Sequence, residues 1–286
     1  MEILVGNRAT VGGGDVVRLL PKRAHRTIGA WCFADHFGPA DVDEAAMAVG
    51  PHPHIGLQTV TWLFDGEALH TDSLGSEQLI RPGQLNLMTA GHGIAHAEQS
   101  PFGASGALHG MQLWVALPDS TRSGDPRFEH HASLPEVALP GGDGHVLLGS
   151  FGGATSPARA DTAIVGVDLT VRAVIEVPLD PAFEHGVLVP REAVEVDGVR
   201  VEPGTTAYLA PGRSSVRLGV PASGAGPARV LLLGGAPFDG EILMSWNFVA
   251  RSRVELDQAY ADWADVGSGR FGEVRSPLAR IPAPTR

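Results

Sequence analysis

The chain has 286 residues and a mass of 29.9 kDa, enough for one large domain or two of ordinary size. A hydrophobic fraction of 43% with 19% charged residues excludes extensive disorder. The net charge is −11, and Lys22 is the single lysine. Direct binding to nucleic acid or to an anionic membrane is therefore not expected, because both need a positive protein surface.

The single cysteine, Cys32, excludes a scaffold held together by intramolecular disulfides. Its neighbours Trp31 and Phe33 favour a buried thiol. The first residues lack the basic segment and apolar run of a signal peptide. No apolar run approaches the ~18 residues that a membrane-spanning helix needs. These features predict a cytoplasmic protein without a membrane partner.

Short apolar runs that end at glycine or proline predict an all-β protein. Leu57–Phe64 precedes Asp65-Gly66, and Met111–Leu117 precedes Pro118. Helical spacing is indicated only near the C-terminus, where Ser252 begins a capping-box pattern. We therefore expect β-structure followed by one short helix.

The two halves of the chain share a β unit. Ile80–Gly91 and Val201–Gly212 each lead into Pro-Gly, continue with an apolar strand and end at glycine, with a constant spacing of 121 residues. Pro-Gly is also common turn chemistry, so an unrelated pair of turns is the alternative. Pro118–Gly144, rich in turn residues, is the predicted connection between the halves.

Histidines concentrate in the first half and include two pairs with strand spacing. His52 and His54 are two residues apart, as are His96 and Glu98, so each pair lies on one face of a strand. Burying several imidazoles and a carboxylate is costly unless a ligand such as a divalent metal satisfies them. The four residues together predict a metal site, with structural histidines as the alternative.

Five stretches make the sequence similar to the pirin family of the cupin superfamily. They are Phe33–Pro39, His52–His54, Thr89–Glu98, His109–Pro118 and Pro126–His130.

The resemblance implies two face-to-face cupin domains, each a jelly-roll β-barrel. Residues 1–130 would form the metal-binding N-terminal cupin, and residues 131–286 a C-terminal cupin without metal ligands that carries the helical tail. It also implies that His52, His54, His96 and Glu98 bind one metal per chain, most often iron.

The second half lacks an equivalent set of ligands. At the spacing of 121 residues, His96 aligns with Arg217 and Glu98 with Gly219. His185 is solitary and is expected to be a surface or core histidine. We therefore expect the C-terminal cupin to serve as scaffold.

The resemblance implies a quercetin 2,3-dioxygenase, which cleaves a flavonol with O₂ and releases carbon monoxide. Fe(II) is the expected metal, while Mn, Co, Ni or Zn would also suit the ligand set. Glu98 would be both a ligand and the general base that takes the flavonol proton. The natural substrate need not be quercetin.

The alternative is a regulator without catalytic activity that binds a transcription factor or a metabolic enzyme according to the redox state of the metal. Five further residues are expected either to line the pocket or to pack the strands: His36, Gln58, His92, Gln112 and Trp114.

Overall fold

The computed structural model describes residues 1–43, 46–222 and 226–285. The first strands are β1 (Glu2–Val5), β2 (Asn7–Val11), β3 (Gly14–Leu20), β4 (Trp31–Asp41), β5 (Ala48–His54), β6 (Leu57–Asp65), β7 (Ala68–Asp72), β8 (Glu77–Ile80) and β9 (Leu85–Thr89). They are followed by β10 (Ile94–Gln99), β11 (Ala107–Ala116), β12 (Arg127–His131), β13 (Glu136–Leu139), β14 (Gly142–Phe151), β15 (Ala154–Thr155), β16 (Ile164–Val171) and β17 (Ile175–Pro178). The last strands are β18 (Glu184–Val189), β19 (Val194–Val196), β20 (Val199–Val201), β21 (Thr205–Leu209), β22 (Ser215–Gly219), β23 (Ala228–Gly235), β24 (Leu243–Ser245) and β25 (Phe248–Ala250).

The prediction of an all-β chain with a short C-terminal helix is confirmed. Helix α1 spans Arg253–Ala264, and a 3₁₀ turn follows at Val266–Ser268. Ser252 caps α1, because its hydroxyl accepts a hydrogen bond from the backbone N–H of Glu255. Among the described residues, no helix is both long and apolar enough to cross a membrane.

The chain forms two compact units that do not follow one linear boundary. What we call the N-terminal unit contains Ala9–Val16, Phe37–His130 and Asp239–Arg286, and the C-terminal unit contains Met1–Arg8, Val17–His36 and His131–Phe238. Three segments thus lie in the unit on the other side of residue 130: Met1–Arg8 and Val17–His36 belong to the C-terminal unit, and Asp239–Arg286 belongs to the N-terminal unit.

Apolar packing explains why the tail belongs to the N-terminal unit. Helix α1 buries Leu256, Ala259 and Trp263 in a cluster that includes Ile55 and Ala95 from the first half of the chain. Burial of such side chains is favourable at roughly 25 cal/mol per Å². The tail therefore packs on the N-terminal unit rather than on the strands that precede it in sequence.

The C-terminal unit has an apolar interior between two antiparallel sheets. The larger sheet has the order β1-β21-β18-β23-β16-β14-β13, with β15 paired to β14, and the smaller has the order β17-β22-β19-β20. Buried valine and leucine side chains from both sheets form one cluster, so the two sheets pack face to face.

The strands that carry the paired histidines belong to a four-stranded sheet with the order β5-β10-β7-β8. A seven-stranded sheet has the order β12-β9-β6-β11-β4-β3-β2. The Thr61 hydroxyl on β6 forms a hydrogen bond with Glu98 on β10. The interior between β6 and β10 is therefore polar where the C-terminal unit is apolar.

Burial along β22 corrects the sequence alignment of the two halves. Val216 and Leu218 are buried in the apolar cluster, whereas Arg217 between them is exposed. The buried His96 therefore cannot correspond to Arg217, because neighbouring strand residues face opposite sides. The alignment at 121 residues is wrong by one residue at this strand, and an apolar side chain stands where the N-terminal unit has histidine.

Candidate metal centre

Two neighbouring strands bring the paired residues together. His52 and His54 lie on β5, and His96 and Glu98 lie on β10, with His96 directly opposite His52 in the antiparallel register. All four side chains are buried. Alternation along each strand directs both members of a pair to the same side. Local sequence spacing and strand pairing thus produce one cluster.

The three histidines offer nitrogen atoms to a common point. One ring nitrogen of each of His52, His54 and His96 lies within 4.8 Å of the other two. The Nε2 atoms of His54 and His96 are 3.0 Å apart. Burial lowers the pKa of His52 to about 4 and those of His54 and His96 well below their ordinary value. The three imidazoles are therefore neutral near pH 7.

Backbone carbonyl groups fix the tautomers of the first two histidines. His52 Nδ1 lies 2.8 Å from the carbonyl oxygen of Gly50, and His54 Nδ1 lies 3.0 Å from that of Asn247. A carbonyl oxygen can only accept, so both Nδ1 atoms carry the proton. Each Nε2 atom consequently presents a lone pair.

A buried chain of hydrogen bonds fixes the tautomer of His96. Asp72 Oδ1 accepts the backbone N–H groups of Leu74 and Ser76, and Asp72 Oδ2 lies 3.2 Å from His70 Nε2. Because the carboxylate accepts, His70 donates from Nε2, and in its neutral form it accepts at Nδ1, which is 3.4 Å from His96 Nδ1. His96 therefore donates from Nδ1 and also presents its lone pair at Nε2.

This donor set fits a divalent transition metal. Two neutral Nε2 atoms 3.0 Å apart, with no proton between them, repel each other. A cation that accepts the lone pairs replaces this repulsion with coordination, and imidazole nitrogen is a ligand suited to Fe, Ni, Cu and Zn. Hydrogen bonds from the opposite ring nitrogen are typical of metal-bound histidines.

Glu98 does not join the three-imidazole group but a second one that shares His96. A carboxylate oxygen of Glu98 and ring nitrogens of His70 and His96 lie within 4.8 Å of one another. Burial raises the pKa of Glu98, while nearby His70 and the Thr61 hydroxyl oppose the shift. The predicted set of four ligands is thus arranged as two overlapping groups.

The Thr61 hydroxyl beside Glu98 lies close to two hydrogen-bond acceptors. Thr61 Oγ1 lies 2.9 Å from Glu98 Oε1 and 3.0 Å from the side-chain oxygen of Gln112. A threonine hydroxyl has a single proton, so it can donate to only one of them. Either Glu98 carries a proton of its own or the Gln112 amide presents its NH₂ group to Thr61.

Two of the five further candidates contact this centre. Gln112 contacts Thr61, as described, and the Trp114 ring meets the His54 ring edge-on with centroids 5.1 Å apart. Trp114 therefore limits the space beside one of the imidazoles.

The other three candidates lie outside both ligand groups. Gln58 donates to the Thr89 hydroxyl from the side of β6 opposite Thr61. His92 is exposed and lies 3.1 Å from the carbonyl oxygen of Gly124. His36 is buried on β4 but is not part of either group. These three residues therefore take part in strand packing or turn hydrogen bonding.

His70 and Asp72 were not predicted as site residues from the sequence. Their spacing is the same strand spacing that identified the other pairs, and β7 lies beside β10 with His70 opposite Glu98 and Asp72 opposite His96. The His-x-Asp pattern was therefore a usable signal.

Comparison with known proteins defines the class of this fold and site. The pirin model matches residues 13–115, and the model of the pirin C-terminal cupin domain matches residues 164–272. Two cupin domains, of which the first carries a group of buried side chains that could hold a metal ion, make the protein a bicupin.

The chain belongs to the pirin family. It is 46% identical over 278 residues to a candidate quercetin 2,3-dioxygenase of Pseudomonas aeruginosa, covering 96% of this chain and 86% of that protein. It is 37% identical over 265 residues to a pirin-like protein of Caulobacter vibrioides, covering 90% of each. The crystal structure of quercetin 2,3-dioxygenase from Acinetobacter baumannii superposes with a TM-score of 0.94 at 43% identity, covering 100% of this chain and 95% of that one.

Proposed function

We propose that this pirin is a metal-dependent dioxygenase that cleaves quercetin-type flavonols with O₂. The observation that carries the proposal is the convergence of three buried imidazole lone pairs beside a buried carboxylate. Relatives named for quercetin 2,3-dioxygenase activity support the choice of reaction. The reaction inserts both oxygen atoms of O₂ into the substrate and expels one ring carbon as carbon monoxide.

His52, His54 and His96 are the proposed imidazole ligands, with Glu98 as the fourth ligand. Iron(II) is the proposed metal, and Mn, Co, Ni and Zn are compatible with the same donors. When bound, the metal supplies a Lewis acid that orients substrate oxygens and O₂ and stabilises negative charge. One metal per chain is expected.

Glu98 is the proposed acceptor of the flavonol hydroxyl proton. Burial raises the pKa of Glu98, which favours holding a proton on the carboxylate in this interior. The Thr61 hydroxyl, at 2.9 Å from Oε1, can donate to the ionised carboxylate and hold that oxygen in place. A carboxylate with a raised pKa is suited to accept a proton in one step and return it in another.

Apolar side chains also lie beside the proposed metal centre. Met88, Ala90 and Ile94 form a buried cluster with Phe128 packed against it, and Phe128 stacks on the His70 ring at 4.4 Å between centroids. Such surroundings exclude water and strengthen the electrostatic interactions of the polar groups.

The proposal is tested by measuring metal content and quercetin-dependent O₂ uptake on the same sample. We expect about one transition metal per chain and uptake that requires the flavonol. His52→Ala should lose both properties, Glu98→Gln should lose uptake, and the exposed His92→Ala serves as a matched control that keeps both.

Two outcomes would contradict the proposal in different ways. Stoichiometric metal without uptake would contradict the dioxygenase and favour a regulator that uses the metal as a redox sensor. Absence of metal after reconstitution would contradict the ligand assignment itself.

A further inference from the structure

A cavity of about 570 Å³ opens in the C-terminal unit, where the sequence predicted only scaffold. Its exposed rim includes Ala163 and Asp180, and its buried floor includes Val165, His185 and Leu232. Small-molecule sites in proteins range over ~300–1,000 Å³ and combine apolar walls with a few polar groups. The cavity has the size and shape of such a site.

His185 is the polar group on the floor. It lies on β18 two residues before Val187, which belongs to the apolar core, so its ring faces the interior at one end of the unit. The residue is 1% exposed, and its ring Nδ1 atom has no hydrogen-bond partner among the described residues. Burial lowers the pKa of His185 to about 4, although nearby Asp180 opposes the shift, so the imidazole is neutral near pH 7.

The hydroxyl of Thr162, which also lines the cavity, is a second buried polar atom with no partner in the described structure. Buried polar groups that lack a hydrogen bond cost roughly 1–3 kcal/mol each. Two such groups around one cavity indicate that a ligand with hydrogen-bonding capacity completes it.

Glycine at position 234 leaves space for the ring of His185. Gly234 is the strand partner of His185, and a Cβ atom there would lie 2.5 Å from His185 Cδ2. The corresponding pair in the N-terminal unit is Thr59 with Trp114. The strand orders of the two large sheets match, and the residue that pairs with Thr59 on β9 lies 121 residues before the residue that pairs with His185 on β21. A tryptophan in one unit is thus replaced by a glycine in the other.

We propose that this cavity binds an uncharged, planar aromatic molecule with a phenolic hydroxyl group that hydrogen-bonds to His185. Phe151, Phe183 and Leu232 supply walls on which an aromatic ring can pack. A neutral imidazole offers one donor and one acceptor, which a phenol can use because its hydroxyl is both. The Asp180 carboxylate on the rim and the net charge of −11 oppose binding of an anion.

The test is a calorimetric titration of the full chain with 2-naphthol, naphthalene and 2-naphthoate at pH 7. The three probes share one ring system and differ only in the hydroxyl group and the charge. We expect 2-naphthol to bind about tenfold more tightly than either of the others, the contribution of one hydrogen bond. The same binding should persist in His52→Ala, which separates it from the metal centre and from the proposed dioxygenase.

Two variants locate the site within the C-terminal unit. His185→Leu should weaken 2-naphthol binding about tenfold, and Ala163→Trp on the exposed rim should weaken it by obstruction without altering the buried floor. His145→Leu, on β14 and outside the cavity lining, is the matched control and should bind normally.

Three results would overturn the proposal. They are the absence of 2-naphthol binding to the wild-type chain, the loss of binding in His52→Ala, and unchanged binding in both His185→Leu and Ala163→Trp. Equal affinity for 2-naphthoate would overturn the assigned ligand class.

Discussion

Strands β10 and β22 occupy the same place in two sheets of identical order, yet they bury opposite kinds of side chain. β10 lies between β5 and β7 and buries His96 and Glu98. β22 lies between β17 and β19 and buries Val216 and Leu218. One strand arrangement therefore accepts either a ligand cluster or a hydrocarbon core. Whether such a strand buries polar or apolar side chains depends on the residues that surround it.

The polar strand requires partners that the apolar strand does not. Valine and leucine in β22 need only neighbouring apolar surface, whereas a buried imidazole without a partner costs free energy. The backbone carbonyls of Gly50 and Asn247 meet this need for two histidines of the N-terminal unit. Asn247 belongs to the tail, so the return of residues 239–286 to this unit contributes directly to the site.

The largest expected effect comes from giving β10 an apolar residue of the kind that β22 buries. His96→Leu should reduce metal affinity by more than about 100-fold, because loss of a direct ligand exceeds the 10–100-fold typical of outer hydrogen-bond partners. The unfolding free energy of the metal-free protein should change by no more than about 1 kcal/mol, since removing the Nε2 repulsion offsets the lost partner of His70. Metal titration calorimetry and urea unfolding measure the two quantities.

His92→Leu is the matched control for that substitution, since His92 is an exposed histidine close in sequence and outside both ligand groups. Wild-type metal affinity in His96→Leu would contradict the assigned site. A loss of several kcal/mol in the metal-free protein would indicate that His96 holds the fold together rather than the metal.

A smaller effect is expected from Asp72→Asn. The two backbone N–H groups keep the amide oxygen of asparagine in the place of Oδ1, so its NH₂ group must face His70 Nε2. His70 would then carry its proton on Nδ1 and force His96 to move its own proton to Nε2, removing the lone pair. We expect metal affinity to fall about 10–100-fold, measured by calorimetry with the same metal.

Asp65→Asn, at an exposed carboxylate in the same unit, is the control for Asp72→Asn. An affinity within a factor of two of the wild type would mean that the chain from Asp72 through His70 does not position His96, and the tautomer assignment would fail with it.

Sequence patterns predicted which side chains share a strand face, and the structure places these residues accordingly. The pairs His52 with His54 and His96 with Glu98 face one interior because alternation is a local property of a strand. The all-β architecture and the start of α1 at Ser252 followed from equally local signals.

Strand partners and the path of the tail could not be obtained in this way. The pairing of β7 with β10, which brings His70 and Asp72 to His96, is set by contacts between residues far apart in sequence. The shift by one residue between His96 and the buried positions of β22 is a related case, since strand register rather than a constant sequence spacing decides which residues face the interior.

The smallest expected effect concerns the pH dependence of the metal-free protein and distinguishes the isolated buried imidazole of His185 from the histidine cluster of the N-terminal unit. His185 has a pKa of about 4 in the folded chain, lowered by burial, against an ordinary value of 6.5. Between these values the unfolded chain binds a proton that the folded chain does not, so stability falls as the pH decreases from about 6.5 and the loss is complete below about 4.

His185→Leu removes one such proton-binding group. The stability of the variant should therefore decline less steeply with falling pH than that of the wild type, by up to about 1.4 kcal/mol per pH unit. Urea unfolding of both metal-free proteins at pH 7, 6 and 5 measures the difference. The remaining decline of the variant includes that of His52, whose pKa is likewise about 4, and is partly opposed by Glu98, whose raised pKa has the contrary sign. Parallel curves would mean that His185 is protonated as readily in the folded chain as in the unfolded one. A cavity floor that accommodates this positive charge would also accommodate anions, which Asp180 is expected to exclude.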